Sequence, residues 1–216
     1  MPFAAVLFDN DGLTLDTEPA WTRAEQALFA RHGSTFTMEH KRALLGTAPV
    51  EAAGKLEAML GIDGDQLNAE LYELVLEEVA TGVEPMPGAV DLLAALRAEG
   101  IPVGLVSNSR RGFVERGIRS AGLERAFAVI VTAEEVARPK PAPDAYVAAA
   151  VALGAAPGEC AVLEDSPTGL AAGRAAGALT IGVPSLPGVI LEADVVAASL
   201  ADPAVWLALG LEAAAA

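Results

Sequence analysis

Hydrophobic positions along the chain fall into two kinds of run. The first is short, continuous and rich in β-branched residues: AAVLFDN (4–10), PVGLVSN (102–108), FAVIVTA (127–133), CAVLED (160–165) and LTIGVP (179–184), with ADVVAASL (193–200) as a weaker sixth. Each run ends in polar or turn residues. This is the pattern of strands buried on both faces, as in a parallel sheet. The second kind is longer, alanine-rich and helical in period. One such segment has readable ends: Ser166 then Pro167 fit an N-cap and a first helical position, and Gly177 closes GLAAGRAAG. From about residue 87 onward strand and helix alternate, which predicts an α/β, doubly wound (Rossmann-like) parallel sheet.

One stretch breaks the alternation. Between Thr17 and Glu84 no strand-like run occurs, only helical pattern interrupted at Gly33, Gly46, Gly61 and Gly82. The prolines of EPMPG (84–88) would stop a helix and begin a linker. The expected organisation is therefore a core of residues 1–16 and 85–216 with an α-helical cap inserted at 17–84. An insertion after the C-terminal end of a strand enters where open α/β sheets bind ligands, so it could serve as a lid. The final LEAAAA reads as a frayed helix end.

Charge narrows the partners. With 29 acids against 14 bases the net charge is -15, which argues against nucleic acid or an anionic membrane, because a binding face would work against the field of the whole molecule. No run approaches the ~20 apolar residues of a spanning helix. The single cysteine, Cys160, excludes an internal disulfide, and the N-terminus lacks the basic and apolar regions of a signal peptide, so a cytoplasmic protein is expected, monomeric by default.

The acids take on meaning when placed on the sheet. FDND, VSN and LED all stand at strand C-terminal ends and so converge on one rim. Asp9 stands at the tip of the first strand, Gly12 lets the chain turn sharply, and Asp11 can reach the same pocket. Glu164 and Asp165 arrive from a later strand. Oxygen ligands without histidine suit Mg²⁺, which is commonly held by one or two carboxylates and a substrate phosphate; zinc is disfavoured. A bland reading stands beside each: Asp-Gly is a common turn pair, Lys140 in RPKPAP could be a solvated loop lysine, Ser107 and Asn108 could only cap a helix, and Asp165 before Ser-Pro could be helix-start chemistry. His32, His40, Arg110 and Arg111 read as surface residues, Asp16 as the exit into the cap, and Cys160 as core.

DNDG after an apolar strand, VSN after the next, KPAPDAY and LEDSPTG together resemble, in order and spacing, the four motifs of the haloacid dehalogenase superfamily. The helical insertion resembles the C1-type cap of its β-phosphoglucomutase-like branch. A departure occurs at GLTLDTE, where Leu13 and Thr14 invert the usual polarity of that pair. The resemblance implies a Mg²⁺-dependent phosphatase acting on a small phosphate ester, with a sugar or polyol phosphate expected. Asp9 would be the nucleophile that forms an aspartyl-phosphate. Asp11 would act as general acid, then base. Lys140 would contribute a positive charge, and Ser107 and Asn108, with Lys140, would hold the phosphoryl oxygens. Mg²⁺ would be held by the Asp9 side chain, the Asp11 carbonyl and Asp165, with Glu164 binding it directly or through another ligand.

The resemblance leaves several activities to compare. A dehalogenase does not need an acid at Asp11 to protonate a halide. A phosphomutase of the β-phosphoglucomutase type remains the alternative, although the arginine usual in mutase caps is absent around LLGTAPVEAAGKL (44–56). A non-catalytic binding protein is disfavoured because every catalytic position is filled. Specificity is expected in the cap, with Glu18, Trp21, Gly46, Thr47, Glu51 and Lys55 as candidates, although an aromatic at helical spacing such as Trp21 is more often core.

Overall fold

The apolar runs become strands β1 (Ala5–Phe8), β2 (Val103–Ser107), β3 (Val129–Thr132), β4 (Cys160–Glu164), β5 (Leu179–Gly182) and the short β6 (Val195–Val196). In this computed structural model, which describes residues 3–44, 49–186 and 188–212, they form one six-stranded sheet in the order β3-β2-β1-β4-β5-β6. Every pairing is parallel. Residues of β1, β2 and β4 are buried throughout, as continuous rather than alternating hydrophobicity requires when helices cover both faces.

By contact the chain divides into two units, Met1–Asp16 with Val83–Ala216, and Thr17–Gly82. The first contains the sheet and helices α5 (Ala89–Ala98), α6 (Arg111–Ser120), α7 (Asp144–Ala152), α8 (Pro167–Ala175) and α9 (Pro203–Ala208). Successive strand residues face opposite sides. On one side Leu7, Val106 and Val162 pack with Ala145, Tyr146 and Ala149 of α7, while Phe8 meets the Phe127 ring edge-on at 6.4 Å. Helix α8 begins as its sequence predicts, with Pro167 in the first turn and the Ser166 hydroxyl accepting from the Gly169 N–H at 3.1 Å.

Among the described residues, the elements of the second unit are all helices, α1 (Glu18–Arg31), α2 (Met38–Leu44), α3 (Pro49–Leu60) and α4 (Gly64–Thr81). Helices α1 and α4 are its main packed pair, with Ala24, Leu28 and Phe29 of one and Leu67, Leu71 and Val75 of the other in its core. The Phe29 ring meets Phe36 edge-on at 5.1 Å and lies 4.8 Å from His40. His32 pairs with Glu70 at 2.8 Å, and that contact, more than Arg31 beside it, holds the Glu70 carboxyl below the usual glutamate range. Lys41, nearly buried, is shared between Glu18 and Glu25, with Glu25 at 2.9 Å. Burial raises the Glu25 pKa. Burial also opposes the Lys41 charge, but hydrogen bonds to the two carboxylates outweigh it and leave the Lys41 pKa raised. Among the described residues, no helix is long and apolar enough to cross a membrane.

Candidate active site

Sheet register assembles the site. Phe8 is aligned with Leu105 of β2 on one side and Leu163 of β4 on the other, so the chain leaving β1 is flanked by Ser107 and by Glu164. Parallel strands place all three C-terminal ends on one edge. There the Asp9 N–H donates to the Leu163 carbonyl at 3.0 Å, extending the ladder by one residue before the chain turns at Gly12. Gly12 has φ of 79°, and a Cβ there would collide with the Asp165 carboxylate and the Ser185 hydroxyl. Both the conformation and the close approach require glycine.

Thr14 accounts for the inverted Leu13-Thr14 pair. Leu13 is buried in the core, and the fully buried Thr14 hydroxyl donates to the Asp9 carbonyl at 2.5 Å. The Thr14 hydroxyl thus ties the turn to the backbone of the expected nucleophile.

Lys140 lies at the centre. Its ammonium donates to Asp9 Oδ1 at 2.6 Å, Glu164 Oε1 at 2.7 Å and the Val106 carbonyl at 2.8 Å, which gives each of its protons an acceptor. The Tyr146 ring centroid is 4.9 Å from the same nitrogen. Burial opposes the charge, yet Asp9 and Glu164 outweigh it and hold the Lys140 pKa above the ordinary lysine value. Asp9 has the reverse balance: burial, then repulsion from Glu164, raises its pKa well above the usual carboxylate range in spite of Lys140.

Glu164, 1% exposed, is engaged through both oxygens. Oε1 accepts from Lys140 and from the Tyr146 hydroxyl at 2.7 Å; Oε2 accepts from the Ser166 hydroxyl at 3.0 Å and its N–H at 3.4 Å. The carboxylate occupies space that a Cβ at residue 169 would need, so the glycine of SPTG is required by close approach. Asp165 accepts from the Ser185 hydroxyl at 2.6 Å. Burial pushes its pKa up to about 7, against that hydrogen bond and with help from Glu164 and Asp11.

Four carboxylates against one ammonium leave this rim rich in negative charge. Asp9, Glu164 and Asp165 each present a carboxylate oxygen, all within 4.8 Å of one another, and the donor set is oxygen only. These residues fit a hard divalent cation.

Ser107 ends β2 and is 1% exposed. Its hydroxyl points to Asp11 Oδ2 at 3.3 Å and accepts from the Ser109 N–H at 2.9 Å. The Asn108 side chain clamps the Lys140 backbone, donating one amide proton to the Lys140 carbonyl and accepting from its N–H, each at 3.0 Å. That clamp positions the lysine. The second proton of the exposed Asn108 amide is not used by that clamp.

Asp9, Asp11, Ser107, Asn108, Lys140, Glu164 and Asp165 are therefore brought together, with Ser109, Tyr146, Ser166 and Ser185 added by the structure. In the sequence Ser166 is marked only as a helix cap, and Tyr146 only as part of a motif. Ser109 and Ser185 lie in loops with no periodic signal. Arg111 is held by Glu135 at 2.8 Å and Glu115 at 3.2 Å, a surface role as expected. Of the cap candidates, Glu18 pairs with Lys41, Lys55 pairs with Glu51 at 2.7 Å and donates to the Ala43 carbonyl at 2.7 Å, and Trp21 is half-buried. Gly46 and Thr47 lie outside the described residues.

Comparison with known proteins agrees with this geometry. A family model of haloacid dehalogenase-like hydrolases matches residues 3–177. The bifunctional riboflavin kinase/FMN phosphatase of Arabidopsis thaliana is 35% identical over 187 residues, 85% of this chain; the chain spans about half, 49%, of that relative's length. Hexitol phosphatase A of Escherichia coli is 37% identical over 181 residues, covering 82% of this chain and 81% of that protein. Among solved structures, CbbY from Rhodobacter sphaeroides in complex with phosphate superposes with a TM-score of 0.78 at 27% identity, over 92% of this chain and 95% of that one. With its acidic strand ends, its buried lysine and a family match across most of its length, this chain belongs to the haloacid dehalogenase-like hydrolases.

Proposed function

We propose that the protein is a Mg²⁺-dependent phosphatase that hydrolyses a small phosphorylated metabolite, of the sugar or polyol phosphate class, through an aspartyl-phosphate on Asp9. The observation that carries this reading is the buried Lys140 ammonium bridging Asp9 and Glu164, with Asp11 two residues beyond the nucleophile. The substrate class is supported by relatives such as the hexitol phosphatase above and a fructose-1-phosphate phosphatase of Escherichia coli, 30% identical over 177 residues.

Each side chain has a part. Asp9 attacks phosphorus in line while the bond to the ester oxygen breaks, and Asp11 gives that oxygen a proton. A water then attacks the aspartyl-phosphate, Asp11 takes its proton, and inorganic phosphate leaves with Asp9 restored. Lys140 neutralises Asp9 and the incoming phosphoryl charge, and the Ser107 hydroxyl and Asn108 N–H receive the phosphoryl oxygens. Asp9, the Asp11 carbonyl and Asp165 would hold the divalent cation, supported by Glu164. Bound there, it supplies the charge that lets a carboxylate approach a phosphate dianion. The Thr17–Gly82 unit serves as cap and selects among esters, because the residues around Asp9 recognise phosphate and cation only.

Phosphate release from a panel of sugar, polyol and nucleotide monoesters, with and without Mg²⁺, tests the reading. Activity is expected only with the metal, and to be abolished in Asp9→Asn. An unaffected Asp9→Asn variant would sink the mechanism. Isomerisation of a sugar phosphate without stoichiometric phosphate release would assign a mutase instead.

A further inference from the structure

We propose that Ser109 is a positioning residue for Asp11, holding its carboxylate in place once a substrate phosphoryl group has taken Ser107 from it. The inference rests on the phosphatase reading and extends it to a residue outside the predicted motifs.

Two hydroxyls converge on one oxygen of Asp11. Ser109 Oγ donates to Oδ2 at 2.8 Å, whereas Ser107 Oγ lies 3.3 Å from the same atom. The shorter contact is the stronger. The two serines are also linked, since the Ser109 N–H donates to Ser107 Oγ at 2.9 Å. A serine hydroxyl has a single proton to donate. Ser107 therefore cannot donate to Asp11 and to a phosphoryl oxygen together, and a bound substrate takes that proton. Ser109 stands beyond the strand end and half-buried, and its hydroxyl bond to Oδ2 remains. The proton passes from Asp11 to the ester oxygen as the P–O bond breaks, and Asp11 recovers one from water during hydrolysis of the aspartyl-phosphate.

Leaving groups of different basicity separate this role from a general structural one. p-Nitrophenolate leaves without protonation, whereas phenolate gains from an acid. In the full chain with Mg²⁺, Ser109→Ala is expected to lower kcat/KM for phenyl phosphate about tenfold and for p-nitrophenyl phosphate less than about threefold, in line with loss of one hydrogen bond to a charged group. Ser109→Thr should restore the wild-type ratio. Ser109→Cys, a weak donor of similar size, should reproduce the alanine pattern and guards against a folding defect in one variant. Placed in Asp11→Asn, Ser109→Ala should add no further loss on either ester. Equal losses on both esters, no loss on either, or a full second loss in the Asp11→Asn background would overturn the proposal. Wild type that releases phosphate from neither aryl ester nor any member of the sugar, polyol and nucleotide panel would overturn the phosphatase reading and this inference with it. Wild type active on the panel but on neither aryl ester would overturn the inference alone; both are distinct from a normal wild type with an unselective Ser109 variant.

Discussion

Lys140 and Asp9, 131 positions apart in sequence, meet through a 2.6 Å contact between ammonium and carboxylate in the interior of the protein. The lysine side chain is 3% exposed, so its charge depends on Asp9 and Glu164, and theirs on it. A buried ion pair of this kind contributes little relative to an apolar replacement of the whole set, but losing one member strands the others.

Lys140→Met should therefore damage both stability and activity. Unfolding in urea is expected to show a loss of about 3–5 kcal/mol, and kcat/KM for p-nitrophenyl phosphate a fall of about 10²-fold or more. Lys140→Arg should not rescue, because a planar guanidinium cannot reach three acceptors arranged around one nitrogen. Wild-type-like stability in Lys140→Met would refute the stranded-charge account.

Thr14→Val keeps shape and removes the hydroxyl that Asp9's carbonyl accepts from. With Thr14 fully buried, the cost should be about 1–3 kcal/mol. Thr14→Ser should recover most of it. If the bond also fixes the nucleophile, kcat falls in Thr14→Val while KM changes little, as steady-state kinetics would show.

Asp194 fastens β5 to the chain entering β6, accepting from the Thr180 N–H and hydroxyl, each at 2.8 Å. These bonds lower its pKa below the ordinary aspartate value. A depressed folded-state value means that the contribution is present above the unfolded-state pKa and is lost as pH falls through the folded one. Asp194→Ala should destabilise by about 1 kcal/mol at pH 7, with the difference from wild type shrinking below about pH 4. Urea titrations at pH 7 and pH 3 check the sign; a difference that grows in acid contradicts it.

In the helical unit, Lys41→Met leaves Glu25, 5% exposed, without its cation. A loss of about 3 kcal/mol is expected, and less when Glu25→Leu accompanies it, because the pair is then removed together. Hydrogen exchange along α1 should report the loosening. A double variant as unstable as the single one would argue against the pairing.

Much of this was legible along the chain because the signals are local. Six apolar runs became the six strands, since continuous hydrophobicity is what burial on both faces requires. Ser166 and Pro167 began a helix where cap chemistry predicts it. Asp9, Asp11, Glu164 and Asp165 could be placed on one rim because parallel strands point their C-terminal ends the same way, and no further knowledge of packing is needed for that step. Asp16 shows the limit: it leaves β1's loop and its N–H donates to the Glu84 carbonyl, which closes the core unit where the helical segment departs.

Other assignments depended on which atoms meet across the fold. Asn108 has the right type to hold phosphate, and only the fold shows that its amide also clamps the Lys140 backbone, a pairing 32 residues apart. Tyr146 stands in a motif, and only the packing of α7 brings its hydroxyl to Glu164. Ser109 and Ser185 have no periodicity or cap to mark them. The sequence by itself determined the strands, the helical insertion and the acids at strand ends, because each follows from hydrophobic period, turn chemistry or residue type read over a few positions. Only the tertiary structure decided the partners: which oxygens Lys140 bridges, which hydroxyls reach Asp11 and which carbonyl the buried Thr14 hydroxyl bonds. Hydrogen bonds select by distances of a few tenths of an ångström between segments far apart in sequence, and no local pattern records them.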